Sequence, residues 1–320
     1  MSDAQQSIDT RLPPHWAGGG TAAAAGRAPL LARLRYDARV RFAVLTAPGV
    51  LLVLLFLLIP LLSIVVFSFW RTENYELLAQ WNIDNYATIL TDSTYLTFLG
   101  RSLVMALVVS LICLLYAYPV AYLIAKHGGR YRLILVLLTA APFLTGIILR
   151  ITAIQHILGP IGLVNMALQT FGLQPVQALM YSNVATAIGL VYLWIPFMIL
   201  AIYLSLLNFN FELLEVAKVC GAKPWRAFIE ITWPLNRIGT VIGVVLVFIP
   251  TLAASVTPRF LGGVNGALYG NILEHQFGAT GTWALGSAMG VVLFIVSMAF
   301  ILIVAWTVSL RRSGFTGAGD

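Results

Sequence analysis

Charged residues are scarce in this sequence. Asp, Glu, Lys and Arg make up 10% of the 320 residues, whereas 60% of the residues are apolar. An ordinary soluble domain contains about 25% charged and about 45–50% apolar residues, and its core cannot bury the excess found here. The composition therefore excludes a soluble domain and predicts an integral membrane protein with several spans.

Cysteines and membrane-embedded acids are also lacking. The sequence has only two cysteines, Cys113 and Cys220, so a disulfide framework is excluded. All Asp and Glu residues fall in predicted loops or tails. A proton- or sodium-coupled carrier normally has a carboxylate inside a span, and the lack of one disfavours a secondary transporter.

Motifs for catalysis and for nucleotide binding are absent. The four histidines have no metal-ligand spacing, and HExxH, GxSxG and paired-cysteine motifs do not occur, which disfavours a metal site and a membrane enzyme. A purely structural membrane protein stays as an alternative. The sequence also has no GxxxxGK[ST] phosphate loop, so if ATP drives this protein, another subunit binds the ATP.

Long apolar stretches predict an all-α polytopic membrane protein with six transmembrane helices. They cover residues 42–70, 102–125, 133–149, 183–207, 238–256 and 283–310. Residues 151–211 contain no charge, but the segments on both sides are basic, so an even number of crossings must separate them. Two crossings fit, joined by an outer segment at 159–181 that is broken by Gly and Pro and includes an interfacial helix.

The two ends of the chain are predicted to be cytoplasmic tails. Residues 1–41 form a tail that ends in a basic helix on the membrane surface, and residues 311–320 form the second tail. In this topology fifteen of the nineteen Lys and Arg residues face the cytoplasm. Such a bias is typical of cytoplasmic segments, and it explains the net charge of +7 without a nucleic-acid partner.

Residues 211–235 form a long polar segment between two apolar spans. The pattern predicts a first helix over residues 211–220, a sharp turn at Gly221, and a second helix that opens at Pro224. Because the topology places this hairpin in the cytoplasm, it can contact another subunit. The alternative is an ordinary amphipathic hairpin that packs only on itself.

The spacing of residues in this hairpin resembles a known signature. The residues that carry it are Glu215, Val216, Ala217, Gly221, Ile231, Trp233 and Pro234. The signature reads E-A-A, three residues, G, nine residues, I-x-L-P; Val216 and Trp233 depart from it, and both are apolar. It is the EAA signature of permease subunits in type I ABC importers, and the resemblance implies the MetI-like fold of those permeases.

The resemblance also implies the role of the hairpin and the partners of the chain. It implies a coupling helix that docks on ATPase subunits, with Glu215, Ala217, Gly221, Ala222 and Pro234 as the coupling residues. Two such subunits hold ATP and Mg²⁺, while this chain binds no cofactor. A second permease subunit, of different sequence, and a soluble solute-binding protein complete the importer in the bacterial inner membrane.

Other stretches resemble the permeases of spermidine and putrescine importers. These stretches are residues 142–145 followed by Arg150, residues 189–192 and 195–198, residues 248–250, and residues 261–263, 270–272 and 276–277. The resemblance implies a polyamine as the transported solute. Related subfamilies carry other small solutes, such as opines or amino-acid-like compounds, and this cargo stays as an alternative.

A path for the solute is predicted from the same stretches. Its candidate residues are Phe143, Thr145, Arg150, Tyr192 and Trp194. Aromatic faces attract ammonium groups, and the partner permease would supply carboxylates. Alternatively, the aromatic residues pack or face lipid, and Arg150 ends the third span and reaches the membrane interface.

Overall fold

The computed structural model describes residues 38–176 and 179–313, and these residues are mostly helical. The predicted N-terminal tail up to residue 37, with its basic surface helix, lies outside the described residues, as do residues 314–320 of the second tail. The chain divides into two units, residues 1–61 and residues 62–320.

The first helix, α1, is Ala38–Phe67. It corresponds to the predicted span 42–70 but begins earlier and ends earlier. Its stretch Val44–Phe67 has a mean hydropathy of 3.3, and its apolar side chains, such as Phe56, are largely exposed. Pro48 and Pro60 lie inside the helix. An apolar helix without a polar face fits a lipid environment.

The following elements complete the fold. The strands β1 (Arg71–Glu73) and β2 (Glu76–Leu78) pair antiparallel, with Arg71 opposite Leu78. The helices up to residue 206 are α2 (Asp84–Thr91), α3 (Ser93–His127), α4 (Arg132–Ala140), α5 (Ile147–Leu158), α6 (Leu163–Thr170) and α7 (Asn183–Leu206). The later helices are α8 (Glu212–Val219), α9 (Pro224–Ala227), α10 (Trp233–Leu235), α11 (Arg237–Leu252), α12 (Tyr269–Gly278) and α13 (Trp283–Ser313).

The core of the second unit lies where α3, α7 and α11 pack against one another. One face of α3 is lined by small residues that are completely buried, and they are Ala106, Val109, Cys113, Ala117 and Ala121. Gly239 and Gly243 of α11 touch α7 so closely that a Cβ atom would lie 2.1 Å from Ser205 Cβ and 2.6 Å from Met198 Sδ. Small residues at the contacts let the helices approach, as in other membrane helix bundles.

The predicted third span, 133–149, is wrong as a single helix ending at residue 149. Helix α4 is followed by a 3₁₀ turn, Ala141–Leu144, and α5 continues to Leu158. Pro142 cannot donate a backbone hydrogen bond, and Thr145 and Gly146 are extended (ψ 146° and 148°), so the helix breaks there. Arg150 suggested an end of the span, but it lies inside α5.

Two predicted outer loops contain regular structure. Residues 71–100 hold the β-hairpin, α2 and the first turns of α3, which begins at Ser93 because the Asp92 carboxylate accepts a hydrogen bond from Thr94 N at 2.8 Å. Residues 257–282 hold a π-helical turn, Pro258–Gly262, and α12. Helix α6 lies within the predicted outer segment 159–181.

The predicted all-α polytopic class is confirmed. Five helical stretches of the described residues are long and apolar enough to cross a membrane: Val44–Phe67, Ser93–His127, Ile147–Thr170, Asn183–Leu206 and Trp283–Trp306. Residues 159–162 interrupt the third of these stretches. A sixth span is present if Pro224–Leu235 and Arg237–Leu252, which meet at 74°, are counted as one.

Candidate functional site

The polar segment folds as a helical hairpin with a glycine turn. Helix α8 ends in two hydrogen bonds, from Gly221 N to Lys218 O at 3.0 Å and from Ala222 N to Ala217 O at 2.9 Å. Gly221 has a φ of 80°, as the sequence predicts, and these bonds form a Schellman motif. Lys223 is extended, and Pro224 opens α9 at its first position. The turn therefore has one defined geometry.

Helix α8 shows an apolar face to its surroundings. Leu213, Val216 and Val219 are 42%, 60% and 89% exposed, and their spacing of three residues places them along one side of the helix. Leu214 and Ala217 are half-buried and belong to the side that faces the rest of the chain. The sequence analysis does not identify the outer stripe, because only the packing of the helix shows which side is exposed.

Aromatic side chains attach both ends of the hairpin to α3. Before α8, Phe211 contacts Tyr122 edge-on at a centroid distance of 5.8 Å. After the turn, Phe228 contacts the edge of the Tyr118 ring at 4.9 Å, and Trp233 stacks on Tyr118 at 5.7 Å. Both ends of the hairpin are therefore packed against the core helix.

The second half of the hairpin contains a bend. Residues 228–232 form a π-helical turn, and Pro234 lies two residues before Asn236, where the chain turns by 74° into α11. Proline cannot bond to the carbonyl four residues earlier, and a π turn relieves this conflict. The Asn236 side chain is buried, and its Oδ1 has no partner among the described residues.

On the surface of the hairpin, Glu230 pairs with Arg226 at 2.7 Å and raises the pKa of that guanidinium.

Three of the predicted path residues belong to one aromatic cluster. The guanidinium of Arg150 lies over the Phe143 ring at 4.8 Å, and Phe143 contacts Phe197 edge-on at 4.4 Å. Phe197 in turn lies 5.5 Å from Trp194. Thr145 lies in the break between α4 and α5, and its hydroxyl donates to Pro142 O at 2.8 Å. Arg150 is 8% exposed, so it is buried among the described residues.

Tyr192 lies apart from that cluster, in a cleft between α3 and α7. The cleft has a volume of about 910 Å³ and an almost wholly apolar lining. Its polar or aromatic lining residues are Arg101, Tyr116, Asn183 and Tyr192. Tyr192 and Trp194 are two positions apart on α7, so their side chains point about 200° apart around the helix. The structure therefore divides the predicted path residues between two places.

The family model for the binding-protein-dependent transport system inner membrane component matches residues 117–312 of the chain. This range includes the hairpin, all five predicted path residues, the helices α7 and α11, and the last part of α3. The chain belongs to this family. The prediction of a membrane transport component rather than an enzyme is thereby confirmed.

Similar proteins extend the match to most of this inner membrane component. It is 34% identical to the spermidine/putrescine transport system permease protein PotB of Escherichia coli over 258 residues, which cover 80% of this chain and 93% of that one. The Haemophilus influenzae protein of the same name is 33% identical, with 78% and 87% covered. The inner membrane ABC transporter permease protein YdcU of Escherichia coli is 26% identical, with 70% and 73% covered.

A solved structure confirms the predicted permease fold. A chain of a bacterial ABC transporter involved in the import of the acidic polysaccharide alginate aligns with a TM-score of 0.66. The alignment covers 88% of this chain and 98% of that one. At 18% identity it shows a shared fold alone. The roles of the coupling and path residues of this inner membrane component remain predictions.

Proposed function

We propose that this chain is the permease subunit of an ATP-driven importer whose cargo is a polyamine such as spermidine or putrescine. The observation that carries the cargo is the 34% identity to spermidine/putrescine permeases over 80% of the chain. The same kind of importer with an opine or an amino-acid-like cargo is the alternative.

The hairpin at residues 211–235 is the contact with the ATPase. Its exposed apolar face, with polar Glu215 beside it, suits a groove of another subunit. Ala217 and Ala222 are joined by the hydrogen bond that closes the turn at Gly221, so the helix moves as one piece. Pro234 marks the bend into α11, through which a rigid-body movement reaches the bundle.

The partners follow from this arrangement. The ATPase subunits, two for each importer, bind ATP and Mg²⁺ outside this chain, because its sequence has no phosphate-binding loop. A soluble binding protein delivers the cargo, in keeping with the family. A second permease of different sequence completes the path within the lipid bilayer, and both termini of this chain face the cytoplasm, as the distribution of Lys and Arg indicates.

The cleft between α3 and α7 is the part of the path that this chain contributes. Tyr192 offers an aromatic face to an ammonium group, and the apolar lining suits the methylene chain of a polyamine. Among the described residues, the cleft lining contains no acidic residue, so the carboxylates that balance the charge of the cargo come from the second permease.

Reconstitution tests this function. The tagged chain is purified together with its ATPase, second permease and binding protein, and the complex is placed in liposomes loaded with ATP. We expect uptake of labelled putrescine or spermidine that requires the binding protein and stops with vanadate. Uptake of octopine or an amino acid without either polyamine would overturn the proposed cargo. Uptake that runs on an ion gradient without the ATPase would overturn the importer itself.

A further inference from the structure

Arg150 is a buried cation for which the described residues supply no anion. The residue is 92% buried, since its exposed fraction is 8%. The ion pairs formed by the described residues join Arg71 to Glu73, Arg226 to Glu230 and Arg259 to Glu274, and none of them includes Arg150. Within the described part of the chain, Nε of Arg150 also lacks a hydrogen-bond partner.

A second unpartnered donor lies in the same aromatic cluster. Nε1 of Trp194 is buried and has no acceptor among the described residues. Trp194 connects to Arg150 through Phe197 and Phe143, with ring centroids 5.5 Å and 4.4 Å apart and the guanidinium 4.8 Å above Phe143. The cluster thus holds two buried N–H groups that have no acceptor among the described residues.

We propose that Arg150 and Trp194 form a site for a carboxylate that comes from outside this chain. This inference rests on the proposed import function, because the carboxylate belongs either to the second permease or, with the alternative opine or amino-acid-like cargo, to the cargo. The chemistry is the same in both cases: a guanidinium binds a carboxylate through paired hydrogen bonds, and an indole N–H adds one donor.

The physical reason is the energy of an unpaired buried charge. A guanidinium does not release its proton in proteins, so Arg150 cannot become neutral, and burying it without an anion is strongly unfavourable. The ring of Phe143 recovers part of this energy by a cation–π contact. That contact also occupies the Phe143 face, so an ammonium group of the cargo has to bind elsewhere, whereas an anion is attracted.

The experiment compares variants in the reconstituted complex. Arg150→Gln removes the charge, and Arg150→Lys keeps the charge but loses the paired N–H donors of the guanidinium. Trp194→Phe removes the indole N–H group and keeps an aromatic ring. The matched controls are Arg71→Gln, whose side chain is 56% exposed, and Trp81→Phe, whose residue is 71% exposed. Import, copurification of the ATPase and the melting temperature of the complex with and without cargo are measured for each.

We expect both Arg150→Gln and Trp194→Phe to lower import about tenfold or more, Arg150→Lys to lower it less, and the controls to match wild type. If the second permease supplies the carboxylate, kcat falls for every cargo, and the melting temperature falls without cargo present. If the cargo supplies it, KM rises for carboxylated cargo alone, and the rise in melting temperature on adding that cargo is lost.

Wild-type import and melting behaviour in both Arg150→Gln and Trp194→Phe would overturn the site. Should Arg150→Gln fail to assemble, Trp194→Phe carries the test, because its ring remains in place. The melting measurements do not depend on import. A wild-type complex that assembles but imports nothing would therefore overturn the proposed function, while the comparison of melting temperatures still decides the site.

Discussion

The ring of Tyr118 stacks on the indole of Trp233, with centroids 5.7 Å apart and planes inclined by 30°. Tyr118 lies in the core helix α3, and Trp233 directly precedes Pro234 at the bend of the hairpin. Phe228 makes a T-shaped contact with the same tyrosine ring at 4.9 Å. These rings join the surface hairpin to the bundle and form a joint between them.

Tyr118→Leu should separate ATPase docking from transport. Loss of two ring contacts costs about 1–3 kcal/mol, at roughly 0.5–1.5 kcal/mol for each aromatic pair, and loosens the joint. We expect copurification of the ATPase to persist and the stimulation of ATP hydrolysis by the loaded binding protein to fall. Tyr118→Phe should behave as wild type, since the hydroxyl lies as far as 3.5 Å from Asn236 Nδ2. Equal stimulation of ATP hydrolysis in Tyr118→Leu and wild type would show that these ring contacts do not connect the hairpin to transport.

The turn at Gly221 yields a second prediction. At a φ of 80° an L-residue is strained by about 1–2 kcal/mol, while the space around the position is open, so Gly221→Ala acts through the backbone alone. Gly172 is the matched control, because its φ is 74° and a Cβ atom there also meets nothing within 4 Å. We expect both variants to insert in the membrane and only Gly221→Ala to bind less ATPase. Equal loss in both would show a general effect of strain.

Local chemistry explains what was predictable from the sequence. Gly221 and Pro224 act on their own backbone, so their turn and helix start could be identified from residue types alone. The burial of Arg150 depends on the continuation of α5 beyond it and on the contact between its guanidinium and the ring of Phe143. Residue types alone do not show either feature, because both depend on the tertiary structure. The charge of Arg150 in an apolar stretch predicted the end of a span, but in the structure the residue is packed inside α5.

The path residues show the same limit. Tyr192 and Trp194 are near neighbours in sequence, and both were predicted to offer aromatic faces to the cargo. On a helix they point to different sides, one to the cleft beside α3 and the other to the cluster with Phe197. Which side faces the cargo depends on the neighbours of α7, and those neighbours are distant in sequence.

Tyr192→Ala should weaken cargo recognition without affecting assembly. Tyr192 is 40% exposed in the cleft, so its removal leaves the helix packing largely intact. A desolvated cation–π contact contributes up to about 2 kcal/mol, and about 1.4 kcal/mol corresponds to a tenfold change, so KM for a polyamine should rise about tenfold. Tyr192→Phe keeps the ring and should retain most of the affinity. Leu204→Ala, on the same helix and outside the cleft lining, serves as the control.

Val219→Glu should abolish ATPase docking while the chain still folds. Val219 is 89% exposed at the end of the outer stripe of α8, so a carboxylate there remains hydrated in the free subunit and does not disturb its packing. In a docked complex the same carboxylate would be buried without a partner, which costs several kcal/mol, and each 1.4 kcal/mol lowers the affinity about tenfold. Val264→Glu is the matched control, because Val264 is 91% exposed but lies in the loop between α11 and α12. Copurification of the ATPase with equal amounts of membrane-inserted chain measures the difference, and undiminished docking in Val219→Glu would mean that the outer stripe of α8 is not the ATPase contact.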